Sequence, residues 1–360
     1  MATVGLCAGC ASPSVRFPDL PTDEIKAERH REEVAQIRGY FGALARINNV
    51  AFHIKTANRQ YCETISAQLG LIAVSVEGLP RKYRSFSSEA LRIDQIHPTV
   101  VAIADGSPAA VAGIERGDQI LTFDNEALPA KRSNEWLARH LAARGAEPVT
   151  VMVRRNDTDE PHTVHPVMAC AIPVALASDP SPGAFTDYKK IVIQTGILRL
   201  TKTDADLATI VGHELAHVNM GHYGKKVQNA LLGALGGAVI DGGLIVGGIY
   251  TDGTFARHLQ AAGARAFSVE FEREADYVGA YYAARAGYDI AGAENIWRAL
   301  AIEDPGNLRA AKTHPATPVR FVQMQKTVAE IAEKKRRNLP LEPDLKFATA
   351  EPDAPVTDQN

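Results

Sequence analysis

An excess of charge of either sign is what this sequence most plainly lacks: 39 Lys and Arg stand against 42 Asp and Glu, a net charge of −3 over 360 residues. Without a broad positive field there is nothing to draw phosphate backbones to the chain, which argues against nucleic acid as a partner. Cysteine is scarce. The four, at positions 7, 10, 62 and 170, include one C-x-x-C pair, Cys7 and Cys10. No second pair completes a zinc knuckle, and no strand precedes the first as a thioredoxin-like motif requires. An unbroken apolar span is missing too. Residues 231–250 approach the length that crosses a bilayer, but Asp241 sits at their centre among many glycines. That stretch reads as two short helical pieces joined at Asp241-Gly242-Gly243, with a membrane-dipping hairpin as the other reading. What is present, 46% apolar and 22% charged residues, is ordinary for a globular chain of about two domains.

The first residues read LCAGCAS and resemble the end of a bacterial lipoprotein signal, in which Cys10 becomes the lipidated residue. The apolar run before it is short and no Lys or Arg precedes Arg16, so as written this is not a working secretory signal. A terminus with two incidental cysteines is the plainer alternative. Residues 1–21 are taken as this segment and a linker. Over 22–87, Val34, Ile37, Phe41, Leu44 and Ile47 recur at spacings of three and four, which predicts a packing helix continuing to Gly70.

From about residue 88 the character changes. The run GSPAAVAGIERGDQIL sits between a strand near 100–104 and another at 119–123, with Ser133 placed to cap a helix through Arg144 and Val149, Val151 and Val153 alternating beyond it. Residues 88–168 resemble a PDZ domain of the bacterial protease type. Such a domain adds an extended peptide to a sheet edge, so a peptide ligand is implied, against the alternative of a closed spacer.

The stretch TIVGHELAHVNMGH places His213 and His217 on one helix face, where two imidazoles can share a zinc ion, with Glu214 beside the first to take a proton from water. A catalytic zinc needs a third protein ligand. His222 does not fit the spacing that would make it one and reads as a cation at the helix end. FSVEFEREADYVG supplies Glu272 to reach the metal, and Asp276, one turn on, to accept the free N–H of a ligating histidine. Glu270 and Glu274 read as solvated. The paired motifs, and residues 170–325 around them, resemble the zinc metallopeptidase family that contains the HtpX heat-shock protease, the CaaX prenyl protease and the quality-control protease BepA.

That resemblance implies an α+β, mainly helical protease domain over 169–337 with a small sheet and the PDZ domain inserted into it; the Pro-rich stretch at 338–360 reads from its composition as a disordered tail. The resemblance implies one zinc ion per chain, held by His213, His217 and Glu272, with Glu214 as catalytic base and Asp276 behind the ligands. His314, in THPATPVR, is assigned to stabilise the oxyanion or to fill the open metal position, and Arg320 to anchor the last helix. The substrate strand is placed at Ala184, Phe185 and Thr186. Cys62 and Cys170 flank the PDZ stretch and can join in an oxidising compartment, or stay as buried thiols. The function expected is a zinc endopeptidase acting on unfolded or misfolded polypeptides of the bacterial envelope, periplasmic and held at the outer membrane if Cys10 is lipidated. A non-proteolytic adaptor or chaperone, and a membrane-associated protease of lipidated peptides, remain as alternatives.

Overall fold

The computed structural model describes residues 15, 18–187, 189–246, 254–265, 268–303 and 318–345. Cys7, Cys10 and His314, and with them the lipid-anchor and oxyanion assignments, lie outside the described residues. The chain opens with helix α1, Thr22–Ala57. Its first half buries Val34, Ile37 and Phe41 against the PDZ side, while Ile47, Val50 and Ile54 enter the core of the catalytic lobe. One helix thus belongs to two cores. It ends at Ala57, not Gly70, because the next residues leave the helix for a short 3-10 turn and then strands β1 (Ile65–Gln68) and β2 (Leu71–Val74).

After two short helices, α2 (Arg81–Arg84) and α3 (Ser87–Leu91), the chain continues through β3 (Thr99–Ile103), α4 (Pro108–Val111), β4 (Gln119–Phe123), β5 (Glu126–Ala127), α5 (Ser133–Arg144), β6 (Val149–Arg155) and β7 (Thr158–Val164). The sheet runs β2-β3-β4-β6-β7, with β5 paired to β4. The sheet therefore takes in β2, so the 22–87 stretch is not helical throughout and the PDZ lobe reaches upstream of residue 88. Leu71 to Val74 pair with Ile103 to Thr99, and that long-range ladder is invisible to local periodicity. Ser133 does not cap α5; its hydroxyl donates to the Pro129 carbonyl.

The chain returns through β8 (Val167–Cys170), paired antiparallel with β1, so the PDZ lobe leaves and re-enters at one neck. A disulfide between Cys62 and Cys170 ties that neck. The catalytic lobe then builds a three-stranded sheet from β9 (Val174–Ala177), β10 (Ala184–Thr186) and β11 (Ile191–Gln194), in the order β10-β11-β9. Helices α6 (Asp204–Asn219), α7 (His222–Val246), α8 (Thr254–Arg265), α9 (Ser268–Arg285), α10 (Glu294–Glu303) and α11 (Pro318–Arg336) follow. α7 is a single helix through Asp241, not two pieces: the Asp241 carboxylate is buried and accepts the Ala256 N–H of α8, so the acidic residue joins the two arms of a hairpin. Among the described residues no helix is long and apolar enough to cross a membrane. Residues 338–345, expected to be disordered, return to the core: Leu341 and Leu345 pack on it, and the Asp344 N–H donates to the Tyr277 hydroxyl.

Candidate active site

Helix α6 starts in a capping box. The Thr203 hydroxyl accepts the Asp206 N–H and the Asp206 carboxylate accepts the Thr203 N–H, satisfying two donors that a helix start leaves open. Every residue from Leu207 to His217 is buried, so the helix is core on all sides and its polar side chains must find partners inside the protein. Opposite it lies α9. The two backbones meet at Gly212 and Gly279, where a Cβ added to Gly212 would stand 2.5 Å from the Gly279 carbonyl oxygen, and one on Gly279 would stand 2.6 Å from the His213 nitrogen. Only glycine permits that approach, and it brings Glu272 and Asp276 of α9 to the two histidines of α6.

The donors converge at that crossing. His213 and His217 place their Nε2 atoms 3.0 Å apart, and the Glu272 carboxylate lies 3.4 Å from the first and 3.5 Å from the second. Ligands about 2.1 Å from a tetrahedral zinc ion stand roughly 3.4 Å from one another, so the three donors already mark out a face of that polyhedron. All three residues are buried, and their ligand atoms fall within 4.8 Å of one another. Three lone-pair donors turned together in a low-dielectric core repel unless a cation or proton sits among them. The chemistry of the set fits zinc.

Behind this face each imidazole is held by its other nitrogen. His213 Nδ1 lies 3.0 Å from Asp276 Oδ1. Burial disfavours a charged His213, but the hydrogen bonds and charges of Asp276 and Glu272 outweigh it and lift the imidazole to about 9. Surroundings that hold a proton so firmly also favour a metal cation. Burial alone would push Asp276 up, yet the Arg320 guanidinium keeps its carboxyl below the usual range. Arg320 donates to both Asp276 oxygens at 2.6 and 2.7 Å, approaches Glu272 at 3.4 Å and lies over the Trp297 ring. It anchors α11 to α9, as the sequence reading expects, and it is also part of the site's charge balance.

His217 is held by residues to which the sequence reading gave other roles. Its Nδ1 lies 2.8 Å from Nδ1 of His222, whose Nε2 lies 2.9 Å from the Glu274 carboxylate. Burial pushes His222 below its ordinary range. A neutral His222 then accepts the His217 N–H and donates its own to Glu274, leaving the His217 Nε2 lone pair for a metal. His222 is thus not a helix-end cation, and Glu274 is not merely solvated. Periodicity places Glu274 off the ligand face, which is true of α9 alone; the start of α7 folds over to meet it. Glu214 is buried beside His213, and β10, with Phe185 exposed, is an edge strand packed beside α6.

Two imidazoles from one helix and a carboxylate from a second, backed by an aspartate, define the donor set of a metallopeptidase joined here to a peptide-binding type of β-lobe. Comparison with known proteins agrees: residues 170–328 match peptidase family M48 and residues 99–155 match the PDZ domain, so the chain carries an M48 metallopeptidase domain and a PDZ domain. The chain is 31% identical over 128 residues to the mitochondrial metalloendopeptidase OMA1 of Arabidopsis thaliana, covering 35% of this chain and 25% of that protein. It is 28% identical over 166 residues to OMA1 of Saccharomyces cerevisiae strain S288c, covering 42% and 46%. The chain therefore spans less than half the length of these relatives. Among solved structures, the HtrA-type protease AlgW with decapeptide aligns over 29% of this chain and 30% of its own at 22% identity and a TM-score of 0.24.

Proposed function

We propose that this chain is an endopeptidase with one zinc ion, acting on extended, unfolded polypeptides in the bacterial cell envelope, with the PDZ lobe holding a peptide of substrate or partner. The observation that carries the reading is the convergence of His213, His217 and Glu272 at 3.0 to 3.5 Å, with Glu214 buried next to them. Zinc held there supplies Lewis acidity toward the scissile carbonyl and a water of lowered pKa. The protein's own part is to fix the ligands through Asp276 and His222 and to move the proton: the Glu214 carboxylate takes it from the attacking water and hands it to the leaving amine.

The shape of β10 supports an extended substrate. Gln194 donates to the Gly183 carbonyl and Asp187 to that of Lys190, so Gly183, Phe185 and Asp187 face β11, and Ala184 and Thr186 turn their backbone groups to the open edge. Backbone pairing along that edge selects chains that can be drawn out straight. The Cys62–Cys170 disulfide supports a compartment outside the reducing cytosol. Zinc content and casein cleavage test the reading together. The wild type is expected to bind one zinc and cleave casein; Glu214→Gln keeps the zinc and loses about 10³-fold or more in rate. A zinc-loaded wild type that cleaves no unfolded chain would leave the adaptor reading in its place.

One observation favours action at a membrane surface: the outer face of α7 exposes Leu231, Leu232, Leu235 and Val239. Flotation with anionic vesicles of a chain lacking residues 1–21 checks it, with the binding expected to fall when Leu231 and Leu235 become Ser.

A further inference from the structure

Helix α7 begins at the donor cluster. Its first residue, His222, is buried between His217 Nδ1 at 2.8 Å and the Glu274 carboxylate at 2.9 Å, and the Phe271 ring of α9 stacks on it. These contacts fix the rotation of α7 against α6 and α9. Residues four apart share a helix face, so Lys226 stands one turn beyond His222 on the side that looks at the donors. Its ammonium lies 3.9 Å from Glu272 Oε1, the same oxygen that lies 3.5 Å from His217 Nε2. The neighbouring Lys225 is turned away, to Glu274 at 3.9 Å and the Phe271 ring.

Two cations thus flank Glu272, and they differ in what they have left to give. Arg320 approaches Oε2 from inside the protein at 1% exposure, with two of its nitrogens already committed to Asp276. Lys226 approaches Oε1 from the solvent side, with its side chain 31% exposed. At 3.9 Å it makes no hydrogen bond to Glu272, and among the described residues its N–H groups have no other acceptor. A lysine ammonium is a compact charge with three donors on a flexible stem. Here it is held close to the reacting centre without being used up.

The charges of the site leave it a task. Glu214, Glu272 and Asp276 bring three negative charges into the buried cluster; against them stand Arg320 and, when bound, the two positive charges of zinc. That set is neutral, and Lys226 is the surplus. In peptide hydrolysis the water oxygen bonds to the scissile carbon, the C=O π pair moves onto the carbonyl oxygen, and the water's proton passes to Glu214. The oxygen then carries a full negative charge among groups whose other charges cancel. As its electron pair returns to the carbon, the C–N bond breaks and the leaving amine takes the proton from Glu214. Successive residues of an extended chain lie about 3.3 to 3.6 Å apart, so a cation this close to a ligand oxygen meets the bond being cut, not a side chain further along.

We propose that Lys226 is a catalytic residue, its ammonium donating to the scissile carbonyl oxygen as negative charge builds there and keeping its own proton throughout. It is a separate group from His314, to which the sequence reading gave this task. The role deepens the proposed function and rests on its reading of the site as that of a zinc endopeptidase.

The test uses the full zinc-loaded chain with a quenched fluorescent peptide built on a casein bond that the wild type cuts, and with the phosphinic isostere of that peptide, in which an anionic tetrahedral phosphorus replaces the scissile carbonyl. Lys226→Met is expected to lower kcat about 10²-fold or more with KM within about twofold of wild type, and Lys226→Arg to keep part of the rate. Calorimetric titration separates binding from turnover. Lys226→Met should weaken the phosphinic peptide by about the factor lost in kcat/KM. The cleavable peptide, bound to Glu214→Gln with and without Lys226→Met, should change by less than about twofold. Zinc content is expected to stay at the wild-type level. A kcat of Lys226→Met within about twofold of wild type overturns the proposal, as does equal weakening of both peptides, or loss of zinc from the variant. A wild type that cuts no chain sinks the peptidase reading and this role with it, whereas full activity of Lys226→Met sinks the lysine's role alone.

Discussion

Arg320 carries its charge at 1% exposure, held by the two hydrogen bonds it donates to Asp276, with Glu272 3.4 Å from a third nitrogen. Removing one charge from such a buried set exposes the other, at roughly 3 to 5 kcal/mol. Asp276→Asn should therefore do two things at once: lower stability by about that amount in urea titration, and raise the zinc dissociation constant about 10- to 100-fold in competition with a chelator. A loss of stability with unchanged zinc affinity would separate Asp276 from the metal. Lys55 gives a pH signature of the opposite kind. Its pKa falls from 10.5 to about 8 on folding, so between those values the unfolded chain binds more protons, and stability rises with pH through that window. The full span amounts to on the order of 3 kcal/mol, measured as the difference between the wild type and Lys55→Met from pH 8 to 10.5.

At the scale of elements, the crossing of α6 and α9 decides whether there is a site at all. Gly212 and Gly279 let the helices touch backbone to backbone, and a methyl group on either must push them apart. Gly279→Ala is expected to cost about 1 to 3 kcal/mol of stability, and its zinc content after dialysis should fall well below that of the wild type. The outer edge of β10 makes a separate prediction. Ala184→Pro removes an N–H that faces away from β11, so the ladder survives while backbone pairing with a substrate is lost. Zinc content should stay the same, and KM for an extended peptide should rise about tenfold; an unchanged KM would move the substrate away from this strand.

At the scale of the whole molecule, α1, the disulfide and the β1–β8 pair join two lobes that the chain makes in a nested order. Cys62 and Cys170 close a separation of 108 residues, and in the chain-entropy account such a link contributes about 4 to 5 kcal/mol. Denaturant unfolding with and without reductant measures it. The link also sits at the end of α6: the Asn219 amide donates to Cys62 Sγ at 3.4 Å and to the Tyr282 hydroxyl at 3.1 Å. Reduction is therefore expected to reach the catalytic lobe, and protease sensitivity near residue 219 reports it.

The sequence by itself determined the donors. His213 and His217 stand four apart on a helix that their neighbours cap at Thr203, and Glu272 and Asp276 stand four apart on another, because helical periodicity is a local property that a string of residues carries in full. Tertiary structure alone decided the rest: that β2 joins the PDZ sheet, that residues 338–345 fold back, that Gly212 meets Gly279, that His222 and Glu274 steady His217, and that Lys55 ends inside a groove of the other lobe. Each of these joins residues distant in the chain, and what two such residues share depends on packing, which no spacing along the sequence encodes.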